Sequence, residues 1–263
     1  TLDLVYRQGK NSNIALNTKL MQQGRTDLIE GEDFQMIACK GAEEAAQIVK
    51  ELYVKELAVH GMDQVQILSP YKVRSAAGVI EINRTIQDLV NPPISGKKEL
   101  HIHDHIFREG DKVLQNKNTE VASNGDMGIL TEISEDEDSN PLARIVFPDG
   151  RSVLYEIDQM DMVEHANAIT IHKSQGNECQ VVIIPWVWAF YKMLKRNILY
   201  TGITRAKQKV YLVGEKKAIT VAIKQESTGT RNTILAERIR YYCDIYQKPT
   251  QRQPKMEQLR LAV

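Results

Sequence analysis

A chain of 263 residues that is 42% hydrophobic and 26% charged has the length and apolar content for one large domain or two small ones. Its 34 Lys and Arg balance its 34 Asp and Glu, so net charge alone gives no sign of a nucleic-acid partner. No run approaches the roughly 18 apolar residues of a membrane span, no signal peptide is visible, and the scattered Cys39, Cys179 and Cys243 exclude a zinc ribbon or disulfide framework and suit a reducing cytoplasm.

The chain opens as T-L-D-L-V-Y-R-Q, strand-like and without an initiator Met, as a fragment of something longer would. Strand and helix signals then alternate: a buried strand over 34–39, an amphipathic helix over 42–59, a strand over 65–68 stopped by Ser69-Pro70, and a helix over 79–90 ended by Asn91-Pro92-Pro93. From 101 to 163 helical periodicity gives way to short runs at 112–115, 127–133, 143–147 and 152–157, separated by turn residues, which predicts a small antiparallel barrel. Pro148-Asp149-Gly150 reads as a hairpin turn and 135–138 as a solvated acidic tip. His101, His103 and His105 would share one strand face, but without a fourth ligand they read as a solvated edge, and no metal site is expected. After His165 the α/β alternation returns, with strands at 168–171, 181–184 and 210–213 and helices at 190–199, 217–224 and 231–245. The three cysteines read as small buried hydrophobes. Charge is uneven along this plan: 97–164 carries sixteen acids against seven Lys and Arg, while 165–217 carries nine Lys and Arg against two acids.

Two polar blocks attached to apolar strands carry the chemistry. The first, A-I-T-I-H-K-S-Q-G-N-E at 168–178, combines hydroxyl, imidazole, amine and amide donors at Thr170, His172, Lys173, Ser174 and Gln175. That mixture suits phosphate and sugar contacts without demanding a base identity. His172 as a general base lacks a partner at a telling spacing. In the second block, I-L-Y-T-G-I-T-R-A-K at 198–207, Arg205 follows a Gly/Thr turn between a helix and a strand. Such a guanidinium can reach a phosphate with a bidentate fork; its plain alternative is capping carbonyls at the helix end.

Together these blocks resemble motifs V and VI of superfamily 1 helicases, most closely the RecD-like branch. The resemblance implies a RecA-like (P-loop NTPase-type) parallel-sheet α/β domain, residues 1–96 and 165–247, interrupted by a small all-β SH3-like barrel at 97–164, with a flexible tail at 248–263. It covers nearly the whole chain, departing at Asn177-Glu178-Cys179, where relatives more often have Ser-Glu-Phe. By position it makes Arg205 the arginine finger on the ATP γ-phosphate. Val5-Tyr6-Arg7-Gln8 is similar to motif IV, so Arg7 inherits a γ-phosphate contact and Tyr6 the adenine stack, with Gln8, Gly176 and Glu178 completing the nucleotide side. Glu178 matches the acid that binds the ribose. The S-P-Y-K segment (Ser69, Pro70, Tyr71, Lys72), like Thr170, His172, Lys173 and Ser174, falls where that family holds single-stranded DNA. F-R-E-G-D-K-V at 107–113 and N-G-D-M-G at 124–128 resemble its barrel, which helps grip DNA. The acidic balance confines such a role to a local patch at Lys112, Lys117 and Asn124.

No G-x-x-x-x-G-K-[ST] loop or paired-acid strand end occurs in the 263 residues, so ATP and Mg²⁺ chemistry would need ligands from a preceding RecA-like domain. The resulting expectation is the C-terminal motor part of an ATP-dependent 5′→3′ DNA helicase, monomeric and cytoplasmic, with no membrane partner, inactive as a fragment. Its partners would be single-stranded DNA and that N-terminal domain. Two rivals stay open: a non-catalytic nucleic-acid or partner-binding module, and the motor segment of a conjugative relaxase–helicase.

Overall fold

A computed structural model describes residues 12–73, 75–225 and 235–247. Tyr6, Arg7, Gln8 and the tail after 247 therefore lie outside the described residues. The chain divides into two compact units, residues 1–227 and 228–263, a division that falls before the expected boundary at 247. The second unit contains α6 (Leu235–Gln247), on which Cys243 is exposed rather than buried as expected.

In the first unit, α1 (Asn13–Gln22) precedes β1 (Phe34–Ala38), α2 (Gly41–His60), β2 (Val65–Ser69) and α3 (Val79–Val90). Two antiparallel strands follow, β3 (Glu99–Ile102) and β4 (His105–Arg108), then β5 (Lys112–Gln115), β6 (Met127–Glu135), β7 (Pro141–Val146), β8 (Ser152–Glu156) and β9 (Val163–His165). The chain returns through β10 (Ala168–Thr170), β11 (Cys179–Trp186), α4 (Arg196–Ile203), β12 (Ala206–Gly214) and α5 (Lys216–Lys224).

Five of these strands make one parallel sheet in the order β1-β12-β11-β2-β10. Central β11 reads as a continuous apolar run because both its faces are covered; Val181 to Ile184 are all 0% exposed. On the sheet α2 packs beside α3, and α4 beside α1 and α5. This is the α/β layer that the alternating signals predicted, in the RecA-like form that the resemblance implied.

The insert is a second sheet, antiparallel, in the order β8-β7-β6-β5-β9, with the β3–β4 hairpin as a separate ribbon. Leu100, Ile102 and Phe107 of that ribbon join Val113, Leu130 and Ile145 in a core of their own, which gives a small SH3-like module. Gly150, at φ +86°, makes the β7–β8 turn, as the Pro-Asp-Gly string requires.

A polar pin roots the insert. Buried Asp111 accepts hydrogen bonds from Arg108 N (2.8 Å), Gln87 Nε2 (2.7 Å) and Asn91 Nδ2 (2.7 Å), and His165 Nε2 lies 3.2 Å away. Entry, exit and α3 thus meet at one carboxylate. Burial by itself would raise the Asp111 pKa, but the bonds from His165, Asn91 and Arg108 N outweigh it and hold the carboxyl below its usual range.

Three further expectations change. The helix expected over 190–199 is instead a 3-10 segment, Trp188–Met193, followed by α4. The chain leaves helical geometry at Phe190 and Leu194, with φ/ψ of −92°/22° and −74°/71°, and both side chains are 0% exposed. His101, His103 and His105 do not share a face: His103 sits in the hairpin turn at φ +50°, and His101 and His105 pair with Ile106 and Ile102 on opposite faces. Among the described residues no group of three His, Cys, Asp or Glu could hold a metal ion. Lys112 faces inward, its Nζ donating to Met62 O (2.8 Å) and Val65 O (3.1 Å), so it forms no surface patch with Lys117 and Asn124. Full burial lowers its pKa. No helix among the described residues is long and apolar enough to cross a membrane.

Candidate nucleotide and nucleic-acid site

The two polar blocks are packed on one another. Gly202 of α4 faces Ile171 and Ile184, where an added Cβ would fall 3.3 and 3.1 Å from their Cδ1 atoms. The glycine in T-G-I-T-R therefore lets α4 sit directly on the start of the first block and on β11. The helix ends with Thr201 and Thr204 returning their hydroxyls to Asn197 O (2.7 Å) and Thr201 O (3.0 Å). Arg205 emerges at the amino end of β12, where its carbonyl accepts Cys179 N at 3.1 Å. Glu178, at the amino end of β11, is thereby brought beside Arg205.

Both groups are engaged. Arg205 Nε donates to Thr201 O (3.3 Å) and Nη1 lies 3.5 Å from Asn177 O, so the carbonyl capping left open by the sequence is present. Glu178 Oε2 lies 3.3 Å from Lys207 Nζ. An ion pair such as Glu178–Lys207, between partly exposed groups, is weak, about 0–1 kcal/mol, and can be exchanged for a ribose hydroxyl. The donor set, a guanidinium and an ammonium beside one carboxylate, fits phosphate and sugar oxygens and offers no Mg²⁺ cage. Gly176 is exposed in the turn that leads to Glu178.

The other candidates follow the carboxyl ends of β2 and β10, the edge at which open α/β sheets usually take ligands. Glu178 and Arg205 stand at strand amino ends instead, so the first block starts at one edge of the sheet and finishes at the other.

At the carboxyl edge the structure sorts the expected residues. Ser69 is 0% exposed, donating its hydroxyl to Ala77 O (2.8 Å) and accepting Tyr71 N. Ser174 is buried, with Oγ on Ile171 O at 2.7 Å, and Pro70 is buried as well. These three shape the loops. Thr170 Oγ1 accepts Lys173 N at 3.3 Å. The Tyr71 ring is half-buried and stacks on Phe190, with centroids 5.2 Å apart. Lys72 and His172 are exposed, and Lys173 is half-buried.

Both lysines converge on one carboxylate that sequence reasoning did not select. Lys72 Nζ lies 2.5 Å from Glu164 Oε1, and Lys173 Nζ lies 2.9 Å from Glu164 Oε2. Burial disfavours the Glu164 charge, but the Lys72 and Lys173 hydrogen bonds outweigh it and keep its pKa below the usual range. Lys173 Nζ also reaches Asn116, and Asn177 Nδ2 donates to Gly125 O at 3.3 Å. The loop bearing exposed Asn124 is thus joined to the first block.

Residues 165–213 match the UvrD-like helicase C-terminal domain family, and residues 82–147 match the SH3 domain of ATP-dependent RecD-like DNA helicases. The second match begins inside α3, ahead of the β-rich insert. An ATP-dependent RecD2 DNA helicase of Deinococcus radiodurans is 30% identical over 203 residues, which is 76% of this chain and 26% of that protein. The RecBCD subunit RecD of Mycobacterium tuberculosis is 43% identical over 61 residues, 23% of this chain and 11% of its own. The chain therefore spans about a quarter or less of the length of these relatives. In fold it is similar to a Candida albicans Pif1 helicase, with TM-score 0.53 and 14% identity over 92% of this chain and 59% of that one. A Bacteroides Pif1 helicase in complex with ADP-AlF3 and single-stranded DNA gives TM-score 0.51 and 17% identity, covering 92% of this chain and 56% of that one. A matched helicase segment on the parallel sheet, a matched SH3 segment over the insert that precedes it and the RecD2 relative place this chain with the C-terminal part of the RecD-like superfamily 1 helicases.

Proposed function

We propose that the chain is the second RecA-like motor domain of an ATP-dependent DNA helicase that moves 5′→3′ along single-stranded DNA, with residues 97–164 as an inserted module. The observation that carries this reading is the packing of the second block on the first through Gly202, which sets Arg205 and Glu178 on neighbouring strand ends. ATP supplies the driving free energy, and its Mg²⁺ ligands come from a partner RecA-like domain that carries the phosphate-binding loop. Arg205 and Arg7 meet the γ-phosphate oxygens, Glu178 the ribose and Tyr6 the adenine, with Gln8 and Gly176 on the same nucleotide. An Arg so placed donates most strongly where charge spreads during phosphoryl transfer. Lys72, Lys173 and His172 hold phosphates at the other edge of the sheet, so closing of the two domains on ATP is coupled to a change of grip on the strand.

The test is unwinding by the full-length protein of two duplexes, one with a 5′ single-stranded tail and one with a 3′ tail. ATP-dependent unwinding restricted to the 5′-tailed duplex is expected. Unwinding only from the 3′ tail would overturn the polarity. Strand binding without ATP-dependent unwinding of either duplex would leave a non-catalytic binding module.

A further inference from the structure

Sheet order places four loops side by side at the carboxyl edge. Running from β12 to β10, they are Glu215 with the start of α5, the 3-10 segment Trp188–Met193 after β11, the loop 69–72 after β2, and the first block after β10. With neighbouring strands about 4.8 Å apart, these loops span roughly 15 Å. The last two hold Lys72 and Lys173; the first two have been given no role.

Those two loops form an aromatic and basic surface. Trp188 is 40% exposed and Tyr191 60%. Lys217 Nζ lies 4.4 Å from the centroid of the Trp188 ring, and Lys192 Nζ lies 5.8 Å from that of Tyr191. Lys195 and Lys216 are exposed alongside. The nearby acid, Glu215, accepts Trp188 N on its Oε2 at 2.6 Å, which fixes the segment, and it is one carboxylate beside four lysines. Phe190, between the two exposed rings in sequence, is fully buried and stacks on Tyr71, so this surface continues directly into the Tyr71-Lys72 loop.

We propose that Trp188 and Tyr191 form a stacking platform for unpaired bases, with Lys192 and Lys217 on the adjoining phosphates. The platform extends the single-stranded DNA track from Lys72 and Lys173 towards β12, and it rests on the strand-binding reading above. Two properties favour nucleic acid as the occupant over a protein. Aromatic rings interleaved with a majority of lysines match the composition of single-strand grooves, whereas protein interfaces are depleted in lysine. The rings also already carry cations at their sides, and an arriving strand exchanges each contact for a base on the ring and a phosphate on the ammonium.

The chain contains two tryptophans, and Trp186 is 0% exposed, so fluorescence change on strand binding reads Trp188. Titration of this 263-residue chain with oligodeoxythymidylate at low salt is followed by tryptophan fluorescence and, in parallel, by anisotropy of a labelled strand. The expected result is quenching that saturates with the anisotropy and is lost in Trp188→Phe, a variant that keeps an aromatic ring at the position. Trp188→Ala weakens binding by about 5- to 150-fold, the range for loss of one stacked base. Replacing both Lys192 and Lys217 by Ala flattens the dependence of log affinity on log salt by about 1.4. A rise in anisotropy with no quenching and unchanged affinity in Trp188→Ala would overturn the platform, leave strand binding in place, and is the outcome for a protein-docking surface. If no anisotropy change occurs even at low salt, the platform and the strand-binding reading both fall.

Discussion

At the scale of single residues, the point of greatest consequence is Glu164. Its two carboxylate oxygens take Lys72 and Lys173, the cations that the resemblance assigns to DNA. The resemblance picked out both lysines because they belong to its motifs; Glu164 stayed hidden among the sixteen acids of the insert, with no local pattern to mark it. Ser69 and Ser174 failed in the opposite sense. A serine after a strand satisfies its own loop backbone first, and nothing in S-P-Y-K or H-K-S-Q shows whether the hydroxyl points in or out. Because the strand must displace Glu164, Glu164→Gln is expected to tighten single-stranded DNA binding at low salt by about two- to tenfold, the worth of partly exposed ion pairs. Anisotropy titration measures this, and weaker binding by the variant would mean that Glu164 positions the lysines for DNA.

At the scale of elements, period decided what could be read. α3 (Val79–Val90) and the apolar core of β11 follow their sequence patterns because one period dominates each. α1 escaped notice because its buried face is half polar: Ile14 and Met21 share it with Asn17 and Thr18, and Asn17 spends both amide groups on the Ile29 backbone. The segment after β11 has helical spacing, yet its backbone leaves helical geometry at Phe190 and Leu194, and α4 begins only at Arg196. The pin at Asp111 was equally invisible, since it joins Gln87, Asn91 and His165 across the insert. Its pH dependence has a definite sign. A carboxyl whose folded pKa is depressed adds stability that is complete above its unfolded value of about 3.9 and is lost as pH falls through the folded value. Asp111→Asn is therefore expected to cost about 1.5–3 kcal/mol at pH 7, the worth of a charge-assisted hydrogen bond, and the gap to wild type should close as pH drops below about 4. Thermal melts between pH 7 and 3 check this; a gap constant with pH would show that the charge is immaterial.

At the scale of the whole molecule, the acidic insert and the basic return segment are neighbours through Glu164, Asn116 and Gly125, so a neutral total hides a local exchange of charge at the strand-facing edge. The class of the fold and the placement of Arg205 and Glu178 together were legible, because the two blocks are attached to strands that pair in parallel. Which edge each would occupy was not, since that depends on strand order and not on any local string. The central claim is that Arg205 forms one wall of an ATP site completed by another domain. The most direct measurement is the single-stranded-DNA-stimulated ATP hydrolysis rate of the full-length protein carrying Arg205→Ala. The account predicts a fall in kcat of about a thousandfold or more with strand affinity little changed. An unchanged kcat would contradict it.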